Sequence, residues 1–407
     1  MVDNKKTPEI RFDGFNIDWS TDVLGELTNV HDGTHQTPVY TESGIMFLSV
    51  ENIKTLVSEK FISNEAFIRD FKIFPQEGDV LMTRIGDIGT ANVIESNDPV
   101  AYYVSLALLK QKELDPYFLK SSIHSDSVKK DLWHRTLHIA FPKKINKNEI
   151  EKVLINYPLE RDEQAIIGKF FRSIDDTMTL KRQQYEQTVN IKKSMLEKMF
   201  PKTGADVPEI RFDGFTEPWE IRKLGEISPL RGGFAFQSEK FCSSGIPIVK
   251  ISNILPSGNV GGDFEYYQEQ PEDEHYCLPN KAALLAMSGA TTGKVSILNN
   301  PHNLKYYQNQ RVGFFSDCKI ADYGFISTLV RSNFFTYKLH SILLAGAQPN
   351  VSSKEIDALE FYFPTQVEEQ AAIGNFFLTL DTLIEAQRQA LEKLQNIKNA
   401  CLNKMFV

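Results

Sequence analysis

Two long stretches of the chain show the clearest periodicity of apolar and polar positions. No proline occurs between Ala165 and Phe200, and apolar or long side chains recur there in alternating steps of four and three residues. The same spacing recurs near the end of the chain. This spacing predicts two α-helices of about 36 residues, each roughly 54 Å long with a narrow heptad seam. The seam positions are Ile167, Phe171, Ile174, Met178, Tyr185 and Met195 in the first stretch, and Ile373, Phe377, Leu380, Ile384, Leu391, Leu394, Cys401 and Met405 in the second.

The start of each predicted helix is marked by local sequence signals. Pro158 and Pro364 precede the two stretches, and acidic pairs follow them at 162–163 and 368–369, where a helix N-terminus favours negative charge. A helix with one narrow apolar stripe needs a partner along its length. We expect the two helices to pair antiparallel as a coiled-coil spacer. The alternative is that each helix folds back on its own domain.

The remaining segments have the sequence pattern of α+β domains. Short β-rich runs, such as IMFLSV (45–50), DVLMTR (79–84) and AYYVSLALL (101–109), are separated by turn residues. Helical patterning follows at 115–133 and 321–344. These patterns predict two globular α+β domains, each with a modest sheet.

The two halves of the chain repeat each other. PEIRFDGF occupies 8–15 and 208–215, with Trp19 and Trp219 after it, and SGIMFLSVENI (43–53) matches SGIPIVKISNI (244–254). KMF closes both copies at 198–200 and 404–406, so the offset grows from 200 to 206. The chain is therefore a tandem repeat of two domain-sized units. We expect a tail at 1–7, domains at 8–157 and 208–363, and spacer helices within 158–207 and 364–407.

Bulk charge is acidic, which disfavours any function that needs phosphate binding. The net charge is −8; residues 8–157 hold 16 Lys/Arg against 22 Asp/Glu, and residues 208–363 hold 14 against 17. A DNA-binding role would therefore require a local basic face. Four scattered cysteines predict neither a metal site nor disulfides. No apolar run of membrane length and no signal-like N-terminus is present, so we expect a cytoplasmic protein.

No catalytic motif emerges from the sequence. GATTGK (289–294) resembles a phosphate-binding loop, but it is one residue short and Val295 stands where a hydroxyl should follow; we interpret it as a glycine turn between strands. HDGTH (31–35) lacks a third metal ligand, and RGGFAF (231–236) replaces it in the second copy, which suggests a variable surface loop. We predict no catalytic residue and no bound metal. An enzyme that methylates or cleaves alone is disfavoured.

The ordered, duplicated motifs resemble the specificity subunits of type I restriction–modification enzymes over nearly the whole chain. The resemblance is carried by both PEIRFDGF openings, LGE (24–26 and 224–226), YYQNQRVG (306–313), and the DEQ and EEQ entries to the long helices. It implies a non-catalytic host-defence subunit that binds double-stranded DNA through two target recognition domains. It also implies two modification subunits, which use S-adenosylmethionine, and restriction subunits, which use ATP and Mg²⁺. One departure is that FPKKINKNEI (141–150) stands where the second copy has GAQPNVSSKEI (346–356).

Candidate DNA contacts follow from side-chain chemistry. Arg and Lys suit phosphate and guanine, and Asn and Gln suit adenine. The candidates are His31, Thr34, His35, Lys54 and Arg84 in the first domain, and Arg231, Lys250, Asn253, Lys294, Asn309, Gln310 and Arg311 in the second. The competing function is a scaffold that joins two protein-binding domains and does not bind DNA.

Overall fold

The computed structural model describes residues 7–202, 204–345 and 350–407. They form two compact units, one from the described residues of 1–183 with Arg388–Val407 and one from Gln184–Gln387. Each unit holds one α+β globular domain and about half of each long helix. The expected N-terminal tail lies almost wholly outside the described residues, as does the start of the loop at 346–356.

The first unit is built around a four-stranded antiparallel sheet of order β2-β8-β5-β6. A second sheet has the order β4-β3-β7, in which β3 and β7 are parallel, and β1 pairs with β9. The elements are β1 Ser20–Val23, α1 Leu24–Leu27, β2 Thr28–Asp32, β3 Ile45–Leu48, β4 Phe61–Ile62, α2 Asn64–Asp70, β5 Val80–Thr83, β6 Ala91–Val93, β7 Val100–Tyr102, β8 Leu106–Gln111, α3 Pro116–Ile123, α4 Asp126–His134, α5 Lys147–Ile150, β9 Leu154–Tyr157 and the long helix α6 Arg161–Lys198.

The four-stranded sheet is buried on both faces. Val80 and Met82 of β5 belong to one apolar cluster, whereas Leu81 between them belongs to another with Leu48 and Tyr102. This division follows from the two-residue period of a strand, whose successive side chains point to opposite faces. It explains why β5 reads as a continuous apolar run.

The second unit repeats this plan. Its sheets have the orders β11-β17-β14-β15, β13-β12-β16 and β10-β18. The elements are β10 Glu220–Lys223, α7 Leu224–Ile227, β11 Leu230–Arg231, β12 Ile246–Val249, β13 Glu265–Tyr267, β14 Ala283–Ala286, β15 Val295–Ile297, β16 Tyr307–Gln308, β17 Val312–Phe315, α8 Tyr323–Leu329, α9 Asn333–Ala345, α10 Ser353–Asp357, β18 Glu360–Phe363 and the long helix α11 Val367–Met405.

The predicted fold class is confirmed, but three predicted elements are each divided in two. The run at 101–109 forms β7 and β8, and the helical patterns at 115–133 and 321–344 form α3 with α4 and α8 with α9. Asp115, Ser125 and Asp322 each accept a backbone N–H as N-caps, which starts a new helix inside or at the edge of the predicted one.

The repeated PEIRFDGF segment and the tryptophan after it bind the start of a long helix in the first unit, an arrangement that we call the clamp. Arg11 makes a bidentate ion pair with the buried carboxylate of Glu163, with N–O distances of 2.6 and 2.7 Å. The indole N–H of Trp19 donates to the same carboxylate at 3.3 Å. The Ile10 N–H donates to the carbonyl of Lys404, near the end of α11, at 2.9 Å. One segment therefore binds the beginning of α6 and the end of α11.

The second unit contains the same clamp. Arg211 pairs with Glu369 at 2.7 and 2.8 Å, and Trp219 donates to that carboxylate at 3.2 Å. The Ile210 N–H donates to the Lys198 carbonyl at the end of α6 at 2.9 Å. The duplicated motif thus performs one structural task twice, which accounts for its recurrence.

The residues after each clamped glutamate dock the long helix on its domain. Gln164 accepts the Asp115 N–H and donates to the Pro158 carbonyl; both distances are 2.9 Å. One turn later, Gly168 lies so close to α3 that an added Cβ would be 2.8 Å from the Phe118 nitrogen. The DEQ motif and the glycine that follows it are therefore docking residues. The EEQ copy in the second unit is built in the same way, with Gln370 bonded to Asp322 and Pro364 and with Gly374 against α8.

The two long helices run antiparallel within each unit. In the first unit, Ile167 and Phe171 share a cluster with Leu402 and Met405, and Asp175 pairs with Lys398 at 2.5 Å. In the second unit Ile373 and Phe377 pack near Met199 and Phe200, Lys192 pairs with Asp381 at 2.5 Å, and Gln387 donates to Thr188 at 3.2 Å. As residue numbers rise along one helix, the contacted numbers fall along the other, as an antiparallel pair requires.

The two helices pair antiparallel as predicted, and the alternative of helices packed on their own domains also holds at the helix ends. Ile174, Met178, Tyr185, Met195, Leu380, Ile384, Leu391 and Leu394 are half-buried. Ile167, Phe171, Ile373, Phe377 and Met405 are instead buried in clusters that contain domain residues such as Trp19, Phe118 or Trp219. Met195 and Leu380 also pack against the core of the second unit, so the terminal turns of each helix belong to a domain core and the remaining half-buried positions lie between them.

Candidate nucleic-acid interface

Three loops of the first unit emerge at one end of its four-stranded sheet. They follow β2 (33–36), precede β8 (103–105) and join β5 to β6 (84–90). The Val104 N–H donates to the Thr34 carbonyl at 2.9 Å, and the Arg84 N–H donates to the Ser105 carbonyl at 2.9 Å. The register of the antiparallel strands thus gathers Thr34, His35 and Arg84 at this end.

The second unit gathers its own loops in the same way. The Gln310 N–H donates to the Phe234 carbonyl at 2.9 Å, and the Met287 N–H donates to the Arg311 carbonyl at 3.0 Å. These bonds join the loops after β11, before β17 and after β14. The GATTGK turn follows the same strand, and Gly293 there has a φ of +88°, so the predicted glycine turn between strands is confirmed.

The loops HDGTH and RGGFAF share a structural residue that the sequence comparison missed. A Cβ on Gly33 would lie 2.5 Å from the Tyr102 carbonyl oxygen, and a Cβ on Gly233 would collide with the Gln308 carbonyl oxygen. Both glycines therefore permit the same close backbone approach. The flanking side chains differ between the copies, while the backbone path is common to both.

Five of the candidate side chains are exposed: His35, Lys54, Lys294, Gln310 and Arg311. Thr34 and Asn309 are half-buried beside them. Arginine, lysine and glutamine on exposed loops can reach phosphates and base edges. These seven residues remain our predicted contacts.

Arg84 and Asn253 are removed from the candidate set, because the fold uses both internally. Arg84 is 6% exposed, pairs with Asp32, and donates from Nε to the Ile145 carbonyl at 3.1 Å. Asn253 is 1% exposed, accepts the Lys250 N–H and donates to the carbonyls of Gly261 and Asp263. The Asn253 amide is thus fully engaged within the domain, and two of the three guanidinium nitrogens of the buried Arg84 are bonded to Asp32 and Ile145.

Three further candidates are partly engaged within the domain. Arg231 lies over the Phe314 ring at 4.8 Å and donates to the Cys277 carbonyl, and desolvation lowers the pKa of its guanidinium. Lys250 pairs with Glu265 at 2.8 Å. His31 is half-buried on β2, where desolvation lowers the pKa of its imidazole. A contact from Arg231 or Lys250 to DNA would require exchange of these bonds.

A basic segment that the candidate list omits reaches the same end of the first sheet. Residues 129–147 contain six Lys/Arg and one Asp, a net charge of +5 within a domain of net charge −6. Lys129, Lys130, Lys143 and Lys144 are exposed, and the Gly86 N–H donates to the Lys143 carbonyl at 2.8 Å. These four lysines provide local positive charge within the acidic domain, which favours contact with phosphate. A charge count over short windows would have found it.

Neither a metal cluster nor a membrane span is found where the structure describes the chain. Residues 7–202, 204–345 and 350–407 contain no group of three His, Cys, Asp or Glu side chains placed to hold a metal ion. Within the same ranges, no helix is both long and apolar enough to cross a membrane.

Comparison with known proteins agrees with this arrangement. The family described as type I restriction modification DNA specificity domain matches residues 16–190 and 216–396. The chain is 25% identical to the type I restriction enzyme MjaVIII specificity subunit of Methanocaldococcus jannaschii, over 96% of this chain and 92% of that protein. It is 24% identical to the EcoAI specificity subunit of Escherichia coli, over 51% of this chain and 35% of that protein.

A solved structure shares the fold. The S subunit of a type I restriction–modification system from M. genitalium superposes with a TM-score of 0.69 at 14% identity, covering 98% of this chain and 99% of that one. The family match spans most of the chain and occurs once in each half. The chain therefore belongs to the type I restriction–modification DNA specificity family, as a non-catalytic sequence-recognition subunit with one family domain in each repeat.

Proposed function

We propose that the two domains read the two different halves of an asymmetric, split sequence in double-stranded DNA. The supporting observation is a difference between matching loops. Thr34 forms a β-bridge with Tyr103 in the first unit, and Phe234 forms the matching β-bridge with Asn309 in the second. The loops 103–105 and 309–311 are therefore equivalent. The first reads Tyr-Val-Ser and the second Asn-Gln-Arg.

These two loops present different chemistry to a groove. Asparagine, glutamine and arginine offer the donors and acceptors that distinguish adenine and guanine in the major groove. The first loop offers only the hydroxyl of half-buried Tyr103 and apolar surface instead, because Ser105 is buried and its hydroxyl accepts the Val50 N–H at 3.2 Å. Loops of different sequence on domains of the same fold favour two different half-sites over a palindromic target. The helices α6 and α11, with 38 and 39 residues, would set the distance between the half-sites.

We further propose that two modification subunits dock on the long helices. Ile191 and Ile397 occupy the same place in the two copies and are 49% and 41% exposed. Exposed isoleucines at repeated positions suit two copies of one apolar partner. S-adenosylmethionine, ATP and Mg²⁺ would be bound by the modification and restriction subunits, in the cytoplasm.

The test is DNA binding by the chain with and without a modification subunit. Specific binding by the assembled complex, with no methylation by this chain alone, is the expected result. Duplexes selected from a random pool by the complex, and then sequenced, would define the target. Binding of protein partners without DNA would favour the scaffold function, and methylation or cleavage by this chain alone would contradict the proposal.

One residue gives a sharper form of this test. Arg311→Ala should weaken specific binding about tenfold, the loss of one good base contact. The modification subunit should remain bound, because Arg311 lies on an exposed loop of the domain. Unchanged affinity for the selected duplex would remove Arg311 from the predicted interface.

A further inference from the structure

A short hairpin, residues 137–144, projects from the first domain beside its gathered loops. The Leu137 N–H donates to the Lys144 carbonyl at 2.8 Å, which closes the hairpin. Lys144 also forms a β-bridge with Ile85, two residues after the end of β5. The hairpin is thus fixed at the end of the sheet from which the predicted DNA-contacting loops emerge.

The tip of this hairpin is apolar and fully exposed. Ile139 and Phe141 have relative exposures of 99% and 104%, so they contact almost nothing in their own domain. Single exposed apolar residues are common on protein surfaces. Two of them, two positions apart on a closed hairpin, form a protruding apolar edge that water solvates poorly.

The base of the hairpin holds this tip in place. Lys143 lies over the Trp133 ring at 4.3 Å, and His138 Nε2 is 3.0 Å from the Trp133 carbonyl oxygen. The Ala140 N–H donates to the Leu137 carbonyl at 3.3 Å. The apolar tip is therefore presented on an ordered support.

The charges around the tip identify the chemistry of its partner. Lys129, Lys130, Lys143 and Lys144 are exposed, and none of the four is in an ion pair within the described residues. Asp87 is the acidic group that shares a cavity wall with Lys129. Lysine is depleted from protein–protein interfaces and attracted to phosphates. An apolar edge surrounded by unpaired lysines therefore favours DNA over a protein partner.

We propose that Phe141 and Ile139 enter the duplex as a wedge between adjacent base pairs, with Lys143 and Lys144 on the flanking phosphates. Apolar side chains that enter in this way unstack a base step and kink the duplex. This inference rests on the proposed DNA-binding function and adds to it. The first domain would read the deformability of one step, in addition to base edges.

The experiment measures unstacking directly. The assembled complex is bound to its selected duplex, in which 2-aminopurine replaces single bases through the first half-site. Fluorescence should rise at one step with the wild-type complex. With Ile139→Ala/Phe141→Ala the rise should disappear, and affinity should fall about tenfold while the selected sequence still binds best. The control is Ile68→Ala, an apolar residue 76% exposed on α2, which should retain both signals.

The outcomes separate this inference from the proposed function. If the double variant keeps the fluorescence rise or full affinity, the wedge is refuted and the DNA-binding function stands. If the variant loses its modification subunit and keeps normal unstacking, the hairpin is a protein-docking element and the wedge is equally refuted. If the wild-type complex selects no duplex at all, both proposals fail.

Discussion

Glu369→Gln tests whether the repeated opening motif holds a domain on its spacer. Glu369 accepts two bonds from Arg211 and one from the Trp219 indole. Its side chain is 1% exposed and that of Arg211 is 14% exposed. Glutamine has nearly the same shape, but it removes the negative charge and replaces one acceptor oxygen by an NH2 donor. The guanidinium would then remain mostly buried without its counter-ion.

The expected cost follows from the geometry of this pair. Removing one member of a buried ion pair costs about 3–5 kcal/mol. Arg211 keeps its 2.7 Å bond to the Glu217 carbonyl, and the glutamine oxygen can still accept one N–H, so we expect the lower end. A loss of about 3 kcal/mol lowers Tm by about 6–12 °C for a unit of this size.

Thermal unfolding and hydrogen exchange measure this loss where it occurs. Exchange should accelerate in the peptides around 208–220 and 367–377. The matched control is Glu226→Gln, which breaks the exposed Arg222–Glu226 pair at 3.5 Å and should cost less than about 0.5 kcal/mol. Equal decreases in Tm for Glu369→Gln and Glu226→Gln would refute the reasoning, because the buried ion pair would then contribute no more to stability than the exposed one.

Three further changes test the packing, the pH response and the charge of the molecule. Gly374→Ala should cost about 1–3 kcal/mol by denaturant unfolding, because its Cβ would lie 2.6 Å from Asp322 Oδ1; no loss would mean that α11 does not dock closely there. Burial lowers the pKa of His124 from 6.5 to about 3, so the folded state excludes a proton that the unfolded state binds, and stability falls as pH drops below 6.5. From pH 7 to pH 5, the free energy of unfolding should fall by up to about 2 kcal/mol more for the wild type than for His124→Gln. Parallel pH profiles of unfolding free energy for the two proteins would contradict this assignment. Lys143→Ala/Lys144→Ala should reduce the slope of log K against log salt by about 1.8 in DNA-binding titrations, whereas an unchanged slope would place both lysines away from phosphate.

The sequence predicted the parts of the fold that local patterns determine. A seam with steps of three and four residues predicted both long helices, and the repeat predicted two similar domains. The function of the PEIRFDGF motif could not be read in this way. Arg11 and Glu163 are 152 positions apart, and nothing local to either residue selects the other. The docking of Ile167 and Phe171 on a domain core could not be predicted either, because an apolar stripe on a helix does not reveal which residues cover it.

Predictions of individual contact residues depended on burial, which a single sequence does not reveal. Arg84 and Lys54 are both cations near the end of β-rich runs, yet Arg84 is buried in an ion pair with Asp32 and Lys54 is exposed. Asn253 has the chemistry to read adenine but caps a 3-10 helix instead. The hairpin at 137–144 was missed because charge was summed over a whole domain, in which the acidic remainder concealed its lysines.

The central claim is that each domain independently reads one half of a split DNA target. The most direct measurement is the sequence selected from random duplexes by the assembled complex, compared between wild type and Gln310→Ala/Arg311→Ala in the second domain. The wild-type complex should select two short unlike motifs separated by a fixed gap, and the variant should lose one motif while the other motif and the gap stay unchanged. A single contiguous motif, or equal weakening of both halves, would contradict the claim.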